Sequence, residues 1–446
     1  MLSFLPVCPL LNRCLCVFFV WGIFVYPAFA QNNSSNSVKN SQSSGLVYAE
    51  PEEVGWDGQK LSQKLDAIIQ LGLDSMAFPG CQLLVAKDGK IVFDQAYGYH
   101  TYQKQQPVKK TDLYDLASIT KVSAALPGLM KLTSEGKIDL DAPFSDYWPD
   151  FARSNKKKMT VREVLAHKAG LIPYIAFWVK TVKRNGSFKK KALANDSSEL
   201  FPVRVYDHLY LNKDYREKMF KKVRRTKMNR KQGYVYSGLT FLLYPQIIEN
   251  LSGQEYKTYL NENFYQKLGA QRLTFNPWKK FPLSEIVPTE NDTLFRKTLV
   301  HGYVHDEAAA FLGGVSGNAG LFSNAADLAK LFQMYMNMGT YAGERYIDEE
   351  TLKEFTSYQY PEENNRRGLG FDKPLLTDKN EGYVSPEASE SSFGHTGFTG
   401  TFVWADPENQ LLIVLLTNRV YPYRSNGKLY SLRIRQELHE VLYEMD

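Results

Sequence analysis

Apolar residues recur in two rhythms along this chain, and the rhythm changes with position. Leu61, Leu65, Ile68, Ile69 and Leu73 fall on one stripe of a helix over residues 58–73. Cys81-Gln82-Leu83-Leu84-Val85-Ala86 is an apolar run, Asp88-Gly89 supplies two turn residues, and Lys90-Ile91-Val92-Phe93 returns. That pattern predicts a hairpin with a two-residue turn. The far end mirrors it. Residues 400–405 read as a strand, Asp406-Pro407-Glu408-Asn409 as a turn, and 411–416 as a nearly uninterrupted apolar strand. A closing helix fits residues 429–443. Between the ends, roughly 112–355, helices and long loops dominate, with helices expected at 161–167, 239–251 and 324–338. No internal repeat is visible. Strands from both ends are expected in one antiparallel sheet with helices packed on it, an α/β (α+β) fold with a mainly helical lobe from the middle. A cleft between sheet and lobe is the expected place for chemistry.

The first thirty residues follow neither rhythm. Arg13 is their only charged side chain, an apolar run covers residues 15–25, and Ala28-Phe29-Ala30 precedes Gln31. This reads as a secretory signal cut after Ala30, since the run falls short of the ~20 residues a membrane span needs. No Cys follows the cut, so a lipid anchor is not indicated. Residues 31–50 are expected to be a disordered polar linker, and 51–446 a single domain. Cys81 is the only cysteine after residue 30, so no internal disulfide is possible and a core position is expected. The expected location is periplasmic or secreted.

The net charge of +6 is one local feature. Residues 180–232 hold 17 Lys plus Arg and 5 Asp plus Glu, a local +12, whereas the rest of the chain after residue 30 sums to −7. A solvated helical face explains such a run, and a weak contact with an anionic cell-envelope surface is the sharper reading. Export argues against a nucleic-acid partner.

Three short segments carry the chemistry. Ser-x-x-Lys occurs five times, at Ser118, Ser134, Ser154, Ser187 and Ser425, but only Ser118 leads into a sustained helical pattern. Its spacing to Lys121 puts hydroxyl and amine on one helix face, a nucleophile beside its own base. Lys121 serves as that base only when neutral, a form that burial and nearby cations favour. Tyr236, in Tyr234-Val235-Tyr236-Ser237-Gly238, offers a phenol for proton transfer. His395, in His395-Thr396-Gly397, can donate to substrate or hold Tyr236 in its acidic state. Gly394 and Gly397 allow a substrate strand to approach, and the N–H groups of Phe398 and Ser118 can pair as an oxyanion hole. His301 and His305 have metal-ligand spacing, but Gly302 stands where a zinc protease carries Glu and weakens a helix, so no metal or other cofactor is assigned. His167 is expected to be structural.

Ser118–Lys121, the Tyr236 triplet and His-Thr-Gly, in that order, resemble the serine β-lactamase and penicillin-binding-protein family in its class C-like branch. The segments 79–98, 112–121, 161–167, 313–322 and 394–418 are also similar, and the likeness spans about residues 50–445. The resemblance implies a two-lobe β-lactamase/transpeptidase-like fold, acylation of Ser118, and Lys121 with Tyr236 as the proton-handling pair. It places His395 where many relatives carry Lys, and Thr396, Gly397, Phe398 and Gly238 against the substrate. Gly238 is a departure. Relatives commonly have Asn there, and Gly has no side chain to hold Lys121 or grip a substrate amide. Residues 300–308 resemble a subgroup of exported enzymes that trim peptide from muramic acid. The expected function is hydrolysis of amide or peptide bonds in a small-molecule or muropeptide substrate. An esterase, a β-lactamase or a silent cell-wall-fragment binder stays open.

Overall fold

Strands from opposite ends of the chain lie side by side. In the computed structural model, which describes residues 45–229 and 233–445, six strands form one sheet. They are β1 (Val47–Tyr48), β2 (Gly80–Lys87), β3 (Lys90–Gly98), β4 (Phe393–Thr396), β5 (Phe402–Asp406) and β6 (Leu411–Thr417), in the order β1-β3-β2-β6-β5-β4. Neighbours are antiparallel except β1 with β3. Asp88 and Gly89 both take left-handed φ, 52° and 74°, as the expected two-residue turn requires.

The period-two rule explains the core. Leu412, Val414 and Leu416 of β6 join Leu84, Ala86, Val403 and Ala405 in the cluster shared with the middle of the chain. Leu411, Ile413 and Leu415 face the other way, with Leu83, Val85, Phe402 and Trp404. Helices α1 (Gly58–Asp74), α2 (Leu126–Ser134), α3 (Ala325–Met336) and α4 (Ile434–Tyr443) divide between these layers. Leu61, Leu65 and Ile69 of α1 and Leu438 and Leu442 of α4 cover the outer face. Leu328, Leu331 and Phe332 of α3, with Leu126, Leu129 and Met130 of α2, build the inner one. β6 is therefore buried on both faces, which is why its apolar run has no polar alternation.

Several expectations need correction. The linker expected over 31–50 does not extend to its end. Val47 and Tyr48 add a parallel strand beside Lys90 and Ile91, and the Ala49 N–H donates to the Ile91 carbonyl at 3.1 Å. The backbone of an edge strand pairs whatever the side chains are. The signal expected over 1–30 lies outside the described residues. The helix expected over 429–443 is broken at Arg433 (φ 52°), which separates a short turn, Lys428–Ser431, from α4. The helix expected over 239–251 divides into a 3₁₀ turn, Thr240–Leu242, and a helix, Tyr244–Ser252, with Pro245 in its first turn. The middle of the chain also contains short strands, among them Tyr114–Asp115, Leu321–Ser323 and Thr274–Phe275 in one small sheet. At two or three residues they are too short for periodicity to register.

The basic stretch is mostly a solvent face over its described residues. Helix Tyr215–Arg225 buries Met219, Phe220 and Val223 and exposes Arg216, Lys218, Lys221, Lys222 and Arg225. Lys156 closes its end by donating to the carbonyls of Arg224 (3.1 Å) and Thr226 (2.8 Å). No helix among the described residues is long and apolar enough to cross a membrane.

β4 lacks an apolar run because its middle is Gly394, and the reason for that glycine is packing. Gly394 sits opposite Trp404, and a Cβ there would stand 2.2 Å from the Val403 carbonyl oxygen and 2.4 Å from the Trp404 ring. Gly394→Ala is therefore expected to destabilise the fold by about 1–3 kcal/mol, read as a lower midpoint in urea unfolding.

Candidate active site

Ser118 is positioned by the turn before it. Ala117 takes φ 47°, and its N–H donates to the Asp115 carboxylate at 2.8 Å. The other Asp115 oxygen accepts the His305 N–H at 2.7 Å. Helical structure starts at Ile119 and runs through a π turn, Lys121–Ala125, into α2. Lys121 is only 2% exposed. Its Nζ lies 2.8 Å from Ser118 Oγ and 3.1 Å from the Asn318 carbonyl oxygen. The expected nucleophile–base pair is thus within hydrogen-bond reach.

Tyr236 stands near the pair on a loop held by its neighbours. Ser237 Oγ donates to the Ile172 carbonyl at 2.7 Å, and the Val235 N–H to the His167 carbonyl at 2.9 Å. The His167 ring lies 4.6 Å from that of Tyr236, and its Nδ1 accepts the Ser237 N–H at 3.3 Å. Burial, then the cations of Arg367 and Lys121, push the His167 pKa well down. It is a neutral prop for the tyrosine loop. Lys121 Nζ stands 5.4 Å from the Tyr236 ring centre, and the His395 ring 6.1 Å.

His395 lies on β4, buried beside the backbone of its own strand. Its Nδ1 lies 2.7 Å from the Thr396 carbonyl, which can only accept, so Nδ1 carries the proton. Nε2 is buried without a partner. Burial first, then Arg367 and Lys121, lower its pKa to about 3. A neutral ring with this tautomer leaves Nε2 as an acceptor. The His395 ring centre lies 6.1 Å from that of Tyr236, with no hydrogen bond between the two.

The cations that local motifs did not reveal come from residues 366–372 and from α4. Arg367, 1% exposed, pairs with Asp372 at 2.9 Å, and Arg366 with the same carboxylate at 3.2 Å. The Tyr383 hydroxyl also donates to Asp372. Burial works to raise the Asp372 pKa, but Arg367 and Arg366 hold it below the usual carboxylate range. Arg435, lowered to about 10 by burial, donates to the carbonyls of Thr401 (3.0 Å) and Gly397 (3.3 Å). Two adjacent arginines followed by Asp five positions on were the only sequence sign of the cluster.

Arg435 helps hold the turn after β4. Thr399 Oγ1 donates to the Asp115 carbonyl (2.7 Å) and Thr401 Oγ1 to that of Leu116 (3.1 Å). The turn is thereby tied to the segment entering Ser118. A Cβ on Gly397 would stand 2.0 Å from Thr401 Oγ1 and 2.5 Å from the Leu116 carbonyl, so only glycine fits. Among the described residues, the N–H groups of Ser118 and Phe398 donate to no other backbone group.

Ser118, Tyr236 and Phe398 stand between two cavities. One, of about 370 Å³, holds His395, Thr396, Gly397, Arg366, Arg367, Asp372 and Arg435, with positive charge in excess. The other, of about 420 Å³, holds Lys121, Gly238, Asn318, Asp306, Glu307 and Arg424. All eight expected site residues therefore line one cavity or the other. His301 and His305 engage different partners. The His301 ring contacts the carbonyl of Ile286 at 2.7 Å, and the His305 ring contacts Glu290 at 2.7 Å. Gly302 (φ 78°) breaks the helix their spacing would need.

Three buried imidazoles give a pH prediction. His439 is also held to about 3 by burial. An unfolded-chain His takes up its proton near pH 6.5, whereas His395, His439 and His167 stay neutral in the fold. The unfolded state then binds more protons. This contribution to stability is complete above about pH 6.5 and is lost as the pH falls towards 3. Each imidazole contributes a slope of about 1.4 kcal/mol per pH unit. His439→Asn, which keeps an acceptor for the Ser385 N–H, is expected to flatten the stability profile between pH 4 and 6 by that amount.

The Beta-lactamase family model matches residues 65–436. A protein of Escherichia coli (strain K12) named D-alanyl-D-alanine carboxypeptidase is 32% identical over 415 residues, covering 86% of this chain and 88% of that protein. One of the same name from Salmonella enteritidis PT4 matches equally over 423 residues. Among solved structures, a penicillin-binding protein homologue from Caulobacter crescentus superposes with a TM-score of 0.61 at 21% identity, over 87% of this chain and 98% of that one. The hydrolase EstCE1 gives 0.62 at 16% identity, over 86% and 99%. These two show the fold alone. With the family model spanning most of the domain and full-length relatives sharing a third of its residues, this serine hydrolase belongs to the β-lactamase and penicillin-binding-protein family.

Proposed function

We propose that the protein is an exported serine peptidase that removes the carboxy-terminal D-alanine from peptidoglycan-derived peptides through an acyl-enzyme on Ser118. The observation that carries this reading is Ser118 Oγ, 2.8 Å from the Lys121 amine, in the wall shared by both cavities. Lys121 takes the hydroxyl proton as Oγ attacks the scissile carbonyl. The N–H groups of Ser118 and Phe398 receive the oxyanion. Tyr236 passes the proton to the departing amine. The C–N bond breaks, water enters by the reverse proton path, and the ester on Ser118 is hydrolysed.

The substrate end follows from charge. A carboxy-terminal residue leaves with a carboxylate next to the scissile bond, and the cavity on the β4 side has Arg366, Arg367 and Arg435 against one Asp372. Relatives named D-alanyl-D-alanine carboxypeptidase support the same leaving group. Residues 1–30 support export. The test is incubation with defined muropeptides read by mass. Loss of one terminal alanine is expected. Loss of the whole stem peptide would make the enzyme an amidase, and an unchanged mixture would sink the reading.

A further inference from the structure

Asp115 is a buried carboxylate that the reaction does not use. It is 2% exposed and stands three residues before Ser118. No ion pair reaches it among the described residues, and the ring of the adjacent His305 engages Glu290 instead, at 2.7 Å. A buried carboxylate without a cation is costly unless hydrogen bonds satisfy it. Each Asp115 oxygen holds a different segment of the site. Oδ1 accepts the Ala117 N–H at 2.8 Å, Oδ2 accepts the His305 N–H at 2.7 Å, and the carbonyl accepts the Thr399 hydroxyl at 2.7 Å.

Those segments lead to the two N–H groups that face the oxyanion. Ala117 directly precedes Ser118, and its φ of 47° is one that a residue other than glycine keeps only when its surroundings enforce it. The Asp115 carboxylate closes that turn, and the direction of the Ser118 N–H follows from it. On the other side, Thr399 directly follows Phe398, and the His305 ring stacks on the Phe398 ring, 5.7 Å between centres and 26° between planes. Asp115 therefore reaches Phe398 twice, from its carbonyl through Thr399 and from its carboxylate through His305. Asn at this position would offer one acceptor oxygen and one amide donor. One of the two backbone N–H groups would then face another donor, so the arrangement calls for a carboxylate.

We propose that Asp115 is the positioning residue of the oxyanion hole, fixing the separation and aim of the Ser118 and Phe398 N–H groups from three oxygens of one residue. This rests on acylation of Ser118 and is independent of which bond the enzyme cuts.

Pre-steady-state acylation of the full-length protein by p-nitrophenyl butyrate tests it, with thermal unfolding and the endpoint stoichiometry of the acyl-enzyme giving rates per folded molecule. Asp115→Asn is expected to lower the saturating acylation rate about 10²-fold, as a misplaced or missing oxyanion donor does, and to leave the half-saturating ester concentration within about twofold. Phenylboronic acid adds to Ser118 Oγ as a tetrahedral boronate, with the hydroxyl proton passing to Lys121. Its affinity is expected to fall by a similar factor, because it resembles the transition state. Thr399→Val keeps the side-chain shape, removes only the bond to the Asp115 carbonyl, and should show the same split at about tenfold. It decides the matter if Asp115→Asn does not fold. Rates per folded molecule that match wild type, or a change confined to half-saturation, would overturn the proposal. A wild-type protein that forms no acyl-enzyme on Ser118 would overturn it together with the acylation reading. If wild type is acylated by the ester but releases no D-alanine from muropeptides, the peptidase reading fails and the role of Asp115 stands.

Discussion

Lys121→Ala is expected to slow acylation of Ser118 by about 10²–10⁴-fold, the range over which a positioned general base contributes. The amine is buried, and its described hydrogen-bond partners are Ser118 Oγ and the Asn318 carbonyl. Without it, no other hydrogen-bond partner of Ser118 Oγ among the described residues is left to take the proton. Lys121→Arg sharpens the test. A guanidinium keeps the positive charge but does not deprotonate, so a base role predicts that Arg fails as Ala does. Pre-steady-state acylation by an activated ester reads both variants, and recovery of the rate in Lys121→Arg would mean that charge, not proton transfer, is what Lys121 supplies.

Asp372→Asn is expected to cost about 3–5 kcal/mol, the penalty for removing one partner from a buried ion network. Asp372 is 4% exposed and faces Arg367, Arg366 and the Tyr383 hydroxyl. Its loss leaves the fully buried Arg367 guanidinium with only the Gly370 carbonyl, 2.7 Å away, as a hydrogen-bond acceptor among the described residues. A second substitution, Arg367→Met, is expected to recover much of that stability, because it removes the charge that lost its partner. Urea unfolding of the single and double variants checks both statements. A single-variant change within about 0.5 kcal/mol, the range of ordinary surface substitutions, would contradict the role given to Asp372.

The sheet was legible because β2, β3, β5 and β6 have apolar runs bounded by strong turn residues, and α1 has one clean stripe. β4 was not, because Gly394 faces Trp404 and leaves a gap in the pattern. Ser118, Lys121, Tyr236 and His395 were legible as short segments whose order and spacing match a family. Arg435 and Asn318 were not, since each acts through a partner far along the chain, and Arg366, Arg367 and Asp372 were not, since they pair with one another on a segment without helical or strand periodicity. Arg435 acts on a turn more than thirty residues earlier, and Asn318 reaches Lys121 across 197 positions. The sense of the His395 hydrogen bond was also beyond sequence, because it depends on the Thr396 carbonyl lying beside Nδ1.

Peptide mapping by mass spectrometry after treatment with a fluorophosphonate or a penicillin tests the central claim most directly. A single adduct on the peptide that contains Ser118, absent in Ser118→Ala, is the predicted result. An adduct on another serine, or none with any acylating probe while the protein is folded, would contradict it.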